Sequence, residues 1–339
     1  MILEATERLK AGKDLSSGQM RSVMEEIMTG AVTTDAVVSF LLELGKKGET
    51  VEELTAAVSV MRTHAVKISV EEDIVLDTCG TGGDKKGTFN VSTAVAFVAC
   101  GAGITVAKHG NRSISSSSGS ADVLEALGIN IVMEKEEIIS CLKNIGIAFL
   151  FAPVMHPALK YAMPARKQIG ARTIFNILGP LANPAHATHQ LVGVYDRKLT
   201  EPLARTLSNL GARHALVVHG EDGLDEVTTT ALTFVSDARG DFLKNYRICP
   251  EDFGLRRAAL EELKGSTACD NAKILTDVLS GKTGPYRDIV LLNAACAIYA
   301  ADKASSIKEG LRLASISIDS GKALEKLTLL KACSSKEGL

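Results

Sequence analysis

Asp77-Thr78-Cys79-Gly80-Thr81-Gly82-Gly83-Asp84 follows the apolar run Ile74-Val75-Leu76 and precedes Asn90-Val91-Ser92-Thr93-Ala94-Val95-Ala96-Phe97-Val98-Ala99. The first run predicts a buried strand. The second predicts a helix with Asn90 or Ser92 as its N-cap. A strand, a glycine turn and a helix together can hold an anion. Glycines let the backbone approach a phosphate closely with their N–H groups turned inward. The helix adds free N–H donors and the positive end of its dipole. The stretch is not a P-loop, because no Gly-Lys-Ser/Thr closes it, nor Gly-x-Gly-x-x-Gly, because Lys85 stands three residues after Gly82. Taken alone, the turn reads either as a phosphate loop or as a tight connection without a ligand.

Outward from this turn, candidate strands at Ile74–Leu76, Ile104–Ala107, Ile147–Phe151, Gln190–Tyr195 and Ala215–His219 alternate with helices at 90–101, 120–127, 135–143 and 199–210. That alternation predicts an α/β fold with a mostly parallel central sheet. Residues 1–66 read as helices only. Ser16-x-x-Gln19 and Thr50-x-x-Glu53 are capping boxes, and Thr33 or Thr34 caps the segment between them. Val37, Val38, Leu41, Leu42 and Leu44 recur at helical spacing before a break at Gly45-Lys46-Lys47-Gly48-Glu49. The last third predicts a strand pair around Ala231–Ser236 and Tyr246–Ile248, long helices near 269–281 and 286–302, then shorter ones. The expected organisation is a small all-helical domain over 1–66 and a large α/β domain over 73–339. The Gly- and Pro-broken segment near 163–180 is expected to lean back on the helical domain. The two chain crossings this gives are candidate hinges.

The chain has 339 residues, 46% of them hydrophobic, and a net charge of −2. That length suffices for a large core and more than one domain. No overall positive field calls for nucleic acid. The seven cysteines form no Cys-x-x-Cys pair, which fits reduced thiols in a cytoplasmic enzyme rather than a zinc site or disulfide framework. The N-terminal Met-Ile-Leu-Glu is unlike a signal peptide, and no apolar stretch has the length of a membrane span.

Three further stretches carry chemistry. Lys108-His109-Gly110-Asn111-Arg112 and the serine-rich run to Asp122 follow the second strand. Carboxyl ends of strands are where open α/β sheets bind ligands. Lys108 offers a point charge and Arg112 a planar fork of donors. Alternatively, the serines form a plain linker. His219-Gly220-Glu221-Asp222-Gly223-Leu224-Asp225-Glu226 follows the fifth strand. Neighbouring carboxylates there suit Mg²⁺ bound through substrate phosphates, or else a solvated acidic turn. Arg166 and Arg172 offer bidentate pairing to a carboxylate, or ordinary surface ion pairs. His109 and His156 are candidate acid–base groups or structural histidines.

These motifs, in order, resemble those of the anthranilate phosphoribosyltransferase family. The likeness is carried by Asp77–Asp84, Asn90–Thr93, Lys108–Asp122, Arg166, Asn176-x-x-Gly179-Pro180-x-x-Asn183-Pro184 and Leu224-Asp225-Glu226-Val227. Arg287–Ala294 and Ser320-Gly321-Lys322-Ala323 extend it, so that it spans nearly the whole chain. The resemblance implies a fold shared with pyrimidine nucleoside phosphorylases, and a glycosyl transfer in tryptophan biosynthesis. Phosphoribosyl pyrophosphate and anthranilate would be the substrates. It assigns Gly80, Thr81, Gly82, Gly83, Asp84, Thr88, Asn90, Ser92, Thr93, Lys108 and Ser120 to phosphoribosyl pyrophosphate. It assigns Gly80, His109, Asn111, His156 and Arg166 to anthranilate, and Ser92, Asp225 and Glu226 to Mg²⁺. It also implies a homodimer through the N-terminal helices, with neither nucleic acid nor membrane as partner. Ser117 departs from the family, many of whose members carry Lys there. No residue is expected to act as a covalent or acid–base catalyst, because the aromatic amine is already neutral at pH 7. Positioning and charge stabilisation would carry the reaction. A nucleoside phosphorylase and a non-catalytic nucleic-acid binder of the same fold are the rival readings.

Overall fold

The polar motifs begin inside the strands, not after them. The computed structural model describes residues 1–113 and 118–335. Four helices come first: α1 (Ile2–Lys10), α2 (Ser17–Met28), α3 (Thr34–Lys47) and α4 (Val51–Thr63). Both capping boxes form, and Thr33 rather than Thr34 caps α3. Helix α3 runs through Gly45 and stops where Gly48 takes φ 85°. An interior glycine is tolerated in a packed helix, whereas positive φ selects glycine. Glu53 is wholly buried. Its carboxylate accepts from Leu15 N, Thr50 N and Lys47 Nζ at 2.8–2.9 Å, which makes its burial tolerable.

The remainder runs β1 (Val75–Gly80), α5 (Val91–Gly101), β2 (Thr105–Gly110), α6 (Ser120–Ala126), α7 (Lys135–Ile145), β3 (Ile147–Phe151), α8 (Ala152–Met155), α9 (Met163–Ile169) and α10 (Phe175–Leu178). It continues with β4 (His189–Gly193), α11 (Thr200–Asn209), β5 (His214–Gly220) and the hairpin β6 (Thr233–Arg239) and β7 (Phe242–Ile248). Four helices close the chain: α12 (Ala268–Leu279), α13 (Pro285–Ala300), α14 (Ile307–Asp319) and α15 (Lys322–Ser334). At 13 residues each, α14 and α15 are not shorter than the 12-residue α12, contrary to expectation.

The sheet order is β3-β2-β1-β4-β5-β6-β7. The strands from β3 to β5 are parallel, and β6 and β7 are antiparallel. The two faces follow the two-residue period of strands. Leu191, Leu216 and Val218 join Phe97 of α5 and Leu292 of α13 in one core. Val192, Val194 and Val217 point the other way, to Leu203 of α11, Leu54 and Met61 of α4, Ala165 of α9 and Phe175 of α10. The N-terminal helices therefore share a core with the second face of the sheet. Arg62 of α4 adds to this junction, donating to Leu181 O and Leu210 O at 2.7–3.2 Å.

Strand order reverses between β1 and β4: β1 leads on to β2, and β4 leads the other way to β5. Their carboxyl ends, with Gly80 opposite Gly193, form the switch point at which open α/β sheets bind ligands.

Candidate phosphate and metal site

Two glycines at the switch point admit the acidic loop. A Cβ on Gly193 would lie 1.5 Å from the Asp225 carbonyl oxygen, and one on Gly80 would lie 2.8 Å from Asp225 Oδ2. The loop after β5 thus rests directly on the ends of β1 and β4. Gly82 N donates to Asp225 Oδ2 at 2.8 Å, and Thr81 N donates to Gly193 O at 2.9 Å. Tyr195 N donates to Thr81 Oγ1 at 3.1 Å. Gly82 and Gly83 take φ 63° and 79°, so the turn is one only glycine makes without strain.

The acids at this turn crowd one another. Burial and the charge of Asp84 push the Asp225 carboxyl up to about 7. Burial and Asp225 push Glu226 up as well. Burial and the neighbouring acids outweigh the charge of Lys108 at Glu226. Hard carboxylate oxygens beside a phosphate-type loop fit Mg²⁺. Among the described residues no three His, Cys, Asp or Glu are grouped to hold a metal by themselves. Asp222 instead shapes the loop, accepting from Leu224 N at 3.1 Å and Thr228 Oγ1 at 2.6 Å.

Lys108 lies within β2, 4% exposed. Its ammonium donates to Thr78 O at 2.5 Å and Ser92 Oγ at 3.2 Å. Burial lowers its pKa, opposed by the charges of Asp77, Cys79 and Glu226. Ser92, in the first turn of α5, thus meets Lys108, and its backbone N–H opposes the rise of the Glu226 pKa. The helix N-terminus meets an acid, as its dipole favours.

Below them, wholly buried Asp77 accepts from His109 N at 3.1 Å and from Asn183 Nδ2 at 2.8 Å. Burial pushes its carboxyl up to about 6. Asn183 Nδ2 also donates to Ala107 O at 2.8 Å. One side chain of the Asn176–Pro184 motif therefore joins β1, β2 and the 179–184 segment. The His109 and His156 rings stand 5.0 Å apart. Burial depresses them to about 3 and about 4, so both are neutral at pH 7. Nδ1 of His109 meets Gly179 O at 3.2 Å. The Nε2 atoms of both rings are buried and have no hydrogen-bond partner among the described residues. Buried polar nitrogens left this way are candidates for a ligand hydrogen bond.

Arg166 of α9 lies over the Phe175 ring at 5.7 Å, and its Nη1 meets Met163 Sδ at 3.7 Å. Burial lowers its pKa. Among the described residues no carboxylate pairs with it, and no hydrogen bond or ring contact joins it to His109, Asn111 or His156. A partly desolvated guanidinium of this kind suits an incoming carboxylate.

Other candidates are engaged within the protein. Asn90 occupies the N-cap position of α5 without a side-chain cap. Its side chain pairs instead with Ser118 O, Ser118 Oγ and Asn271 Nδ2. Asn111 is exposed and accepts from Arg112 N at 2.7 Å, and Ser120 Oγ donates to Asn111 O at 3.3 Å. Arg112 is not a free fork: it pairs with Asp122 and Glu125 of α6. Its acids lie 10 and 13 residues on, a separation that helix periodicity does not reveal. Thr88 bridges to Lys264, and Thr93 Oγ1 is buried with no partner among the described residues. Cys79 is pushed well up by burial, with no activating base. Ser117 lies outside the described residues. Sequence reading passed over Gly193, whose signal was a glycine inside a strand. It also passed over Tyr195, which carried no signal.

A helical bundle beside an α/β sheet, with a phosphate-type loop at the switch point, is the build of the glycosyl transferase family, whose two domain models the chain matches. Residues 3–65 match the glycosyl transferase family, helical bundle domain, and residues 72–324 match its a/b domain. The anthranilate phosphoribosyltransferase of Symbiobacterium thermophilum is 53% identical over 320 residues, covering 94% of each chain. That of Thermus thermophilus has a solved structure with a TM-score of 0.92 at 40% identity, covering 97% of this chain and 98% of that one. The Saccharomyces cerevisiae enzyme, solved in complex with PRPP and Mg, gives 0.89 at 29% identity, covering 98% and 97%. The chain belongs to the anthranilate phosphoribosyltransferase family. The nucleoside phosphorylase and nucleic-acid readings are not favoured by these relatives.

Proposed function

We propose that the chain transfers the phosphoribosyl group of phosphoribosyl pyrophosphate to the amine of anthranilate, releasing pyrophosphate, as a step of tryptophan biosynthesis. The observation that carries this is the glycine loop at the switch point, bonded through Gly82 N to Asp225 in a chain 53% identical to a family member. The new C1–N bond replaces the C1–O bond to pyrophosphate, and the amine proton leaves to solvent or phosphate oxygen. The turn Gly80–Gly83, Thr81 included, lines the phosphoribosyl pyrophosphate site together with Asp84, Thr88, Asn90, Thr93 and Ser120. Lys108 adds a cation at the α5 terminus. Asp225 and Glu226, with Ser92, would hold Mg²⁺, which when bound supplies positive charge to the pyrophosphate. Arg166 pairs with the carboxylate of anthranilate, and Gly80, His109, Asn111 and His156 line its ring. Neutral His109 and His156 hold the aromatic acid by contact and hydrogen bond rather than by charge. No side chain acts as a covalent catalyst.

The domain division at 1–66 and 73–339 belongs to the same proposal, with the two lobes closing to exclude water from C1. So does a homodimer through the N-terminal helices, supported by exposed Leu3 of α1 (72%) and Leu42 of α3 (44%). A cytoplasmic location accords with free cysteines among the described residues. No described helix is long and apolar enough to cross a membrane. The test is loss of anthranilate fluorescence on mixing the protein with phosphoribosyl pyrophosphate, with and without Mg²⁺. Mg²⁺-dependent loss is expected. Phosphate-dependent cleavage of a pyrimidine nucleoside instead would overturn the assignment.

A further inference from the structure

Arg172 lies between α9 and α10, in the segment that connects the core of the N-terminal helices to the sheet. Its Nη2 donates to the Gly83 carbonyl. Its Cζ lies 3.7 Å above the centroid of the Tyr195 ring, close contact for a cation on an aromatic face. Among the described residues it has no carboxylate partner. Both groups it touches bear on the glycine loop. Gly83 is in the loop, and Tyr195 N holds Thr81 Oγ1 at 3.1 Å. The fit is close, since a Cβ on Gly83 would come within 2.9 Å of Nη2. The arginine is itself anchored. Thr173 N donates to Asn176 Oδ1 at 3.0 Å, and Phe175 enters the core shared with the N-terminal helices.

We propose that Arg172 is a positioning residue, clamping the glycine loop to the end of β4 and so making pyrophosphate binding depend on the inter-lobe segment. The inference rests on the assignment of that loop to pyrophosphate. Among the described residues, Thr81 N to Gly193 O and Gly82 N to Asp225 Oδ2 hold the first half of the turn, whose Gly82 and Gly83 take positive φ. The guanidinium fixes the carbonyl direction at Gly83, and with it the neighbouring N–H vectors. Movement of the segment that carries Arg172 would then reach the loop directly.

Two measurements separate the clamp from the substrate assignment. Amide hydrogen exchange over residues 80–86 in ligand-free protein reads the clamp alone. Arg172→Ala should speed exchange there, with little change in melting temperature, since the side chain is exposed. Kinetics reads the consequence. Arg172→Ala should raise KM for phosphoribosyl pyrophosphate by about tenfold or more while leaving KM for anthranilate unchanged. Tyr195→Phe keeps the ring and should behave as wild type, whereas Tyr195→Leu should resemble Arg172→Ala. The double variant Arg172→Ala/Tyr195→Leu should be no worse than the worse single one. Unchanged exchange in Arg172→Ala, or additive kinetic losses in the double variant, would overturn the clamp. Additivity would point to direct contact of Arg172 with the ligand. Faster exchange in a protein whose wild type lacks the transferase activity would leave the clamp standing and refute the substrate assignment instead.

Discussion

Substituting alanine for Gly193 strikes the site without touching any group proposed to meet substrate. The new Cβ would lie 1.5 Å from the Asp225 carbonyl oxygen, where ordinary contact begins at 3.4 Å. The two must therefore separate by about 1.9 Å, the difference of those distances. Gly193 is the last residue of β4, hydrogen-bonded within a parallel sheet between β1 and β5. The strand is the stiffer partner, so the 221–228 loop moves. A shift of that size breaks the 2.8 Å bond from Gly82 N to Asp225 Oδ2 and carries Asp225 and Glu226 away from the glycine loop. Misplacement by about 1 Å costs roughly a hundredfold in rate, and loss of one preorganised charge-stabilising contact costs about 2.7–4 kcal/mol. Turnover in Gly193→Ala should thus fall by at least roughly a hundredfold, with a raised Mg²⁺ requirement. The assay is the initial rate of anthranilate fluorescence loss across a Mg²⁺ titration, beside a thermal melt and circular dichroism to show that the sheet survives. A folded variant with wild-type turnover and Mg²⁺ dependence would refute the placement of the acidic loop on the switch point.

Asp225, pushed up to about 7 by burial and Asp84, must lose its proton before it binds Mg²⁺. Apparent Mg²⁺ affinity should weaken by about tenfold or more per pH unit below that value, Glu226, also pushed up, adding to the slope. Asp225→Asn should flatten the slope, and Mg²⁺ dependence that is identical at about pH 6 and about pH 8.5 in the wild type would contradict the metal role. Arg166→Ala should raise KM for anthranilate by about tenfold to a hundredfold, in line with about 1.5–3 kcal/mol for a hydrogen bond to a charged group. KM for phosphoribosyl pyrophosphate should stay put, and a change confined to that substrate would exclude pairing with the aromatic acid. Asn183→Leu strands two buried acceptors, Asp77 Oδ2 and Ala107 O. It also strands the buried Ala185 N–H, which donates to Asn183 Oδ1 at 2.8 Å, and at about 1–3 kcal/mol for each of the three groups it should lower stability by roughly 3–9 kcal/mol in a denaturant titration. A variant as stable as the wild type would show that this junction is not needed.

Much of the architecture was legible because it is local. Capping at Ser16 and Thr50 and the alternation of apolar runs with helices depend on residues a few positions apart. So does the glycine turn, whose positive φ at residues 82 and 83 only glycine supplies cheaply. The ordered motifs likewise marked the family. The strand ends were misjudged because Asp77, Lys108 and His109 are polar residues within strands. Partners far along the chain make that possible, such as Asn183 beneath Asp77 and Ser92 beside Lys108. Arg112 read as a free fork for the same reason: its acids are on the next helix. The placement of Asp225 on Gly80 and Gly193, the pairing of His109 with His156 and the hold of Arg172 on Gly83 join residues separated by tens to more than a hundred positions. By itself the sequence determined which residues could make strands, caps, phosphate turns and charges, because those properties reside in single side chains and short spacings. The tertiary structure alone decided which of them share a site and which are consumed by each other, because the sheet order that places β4 against β1 sets those distances.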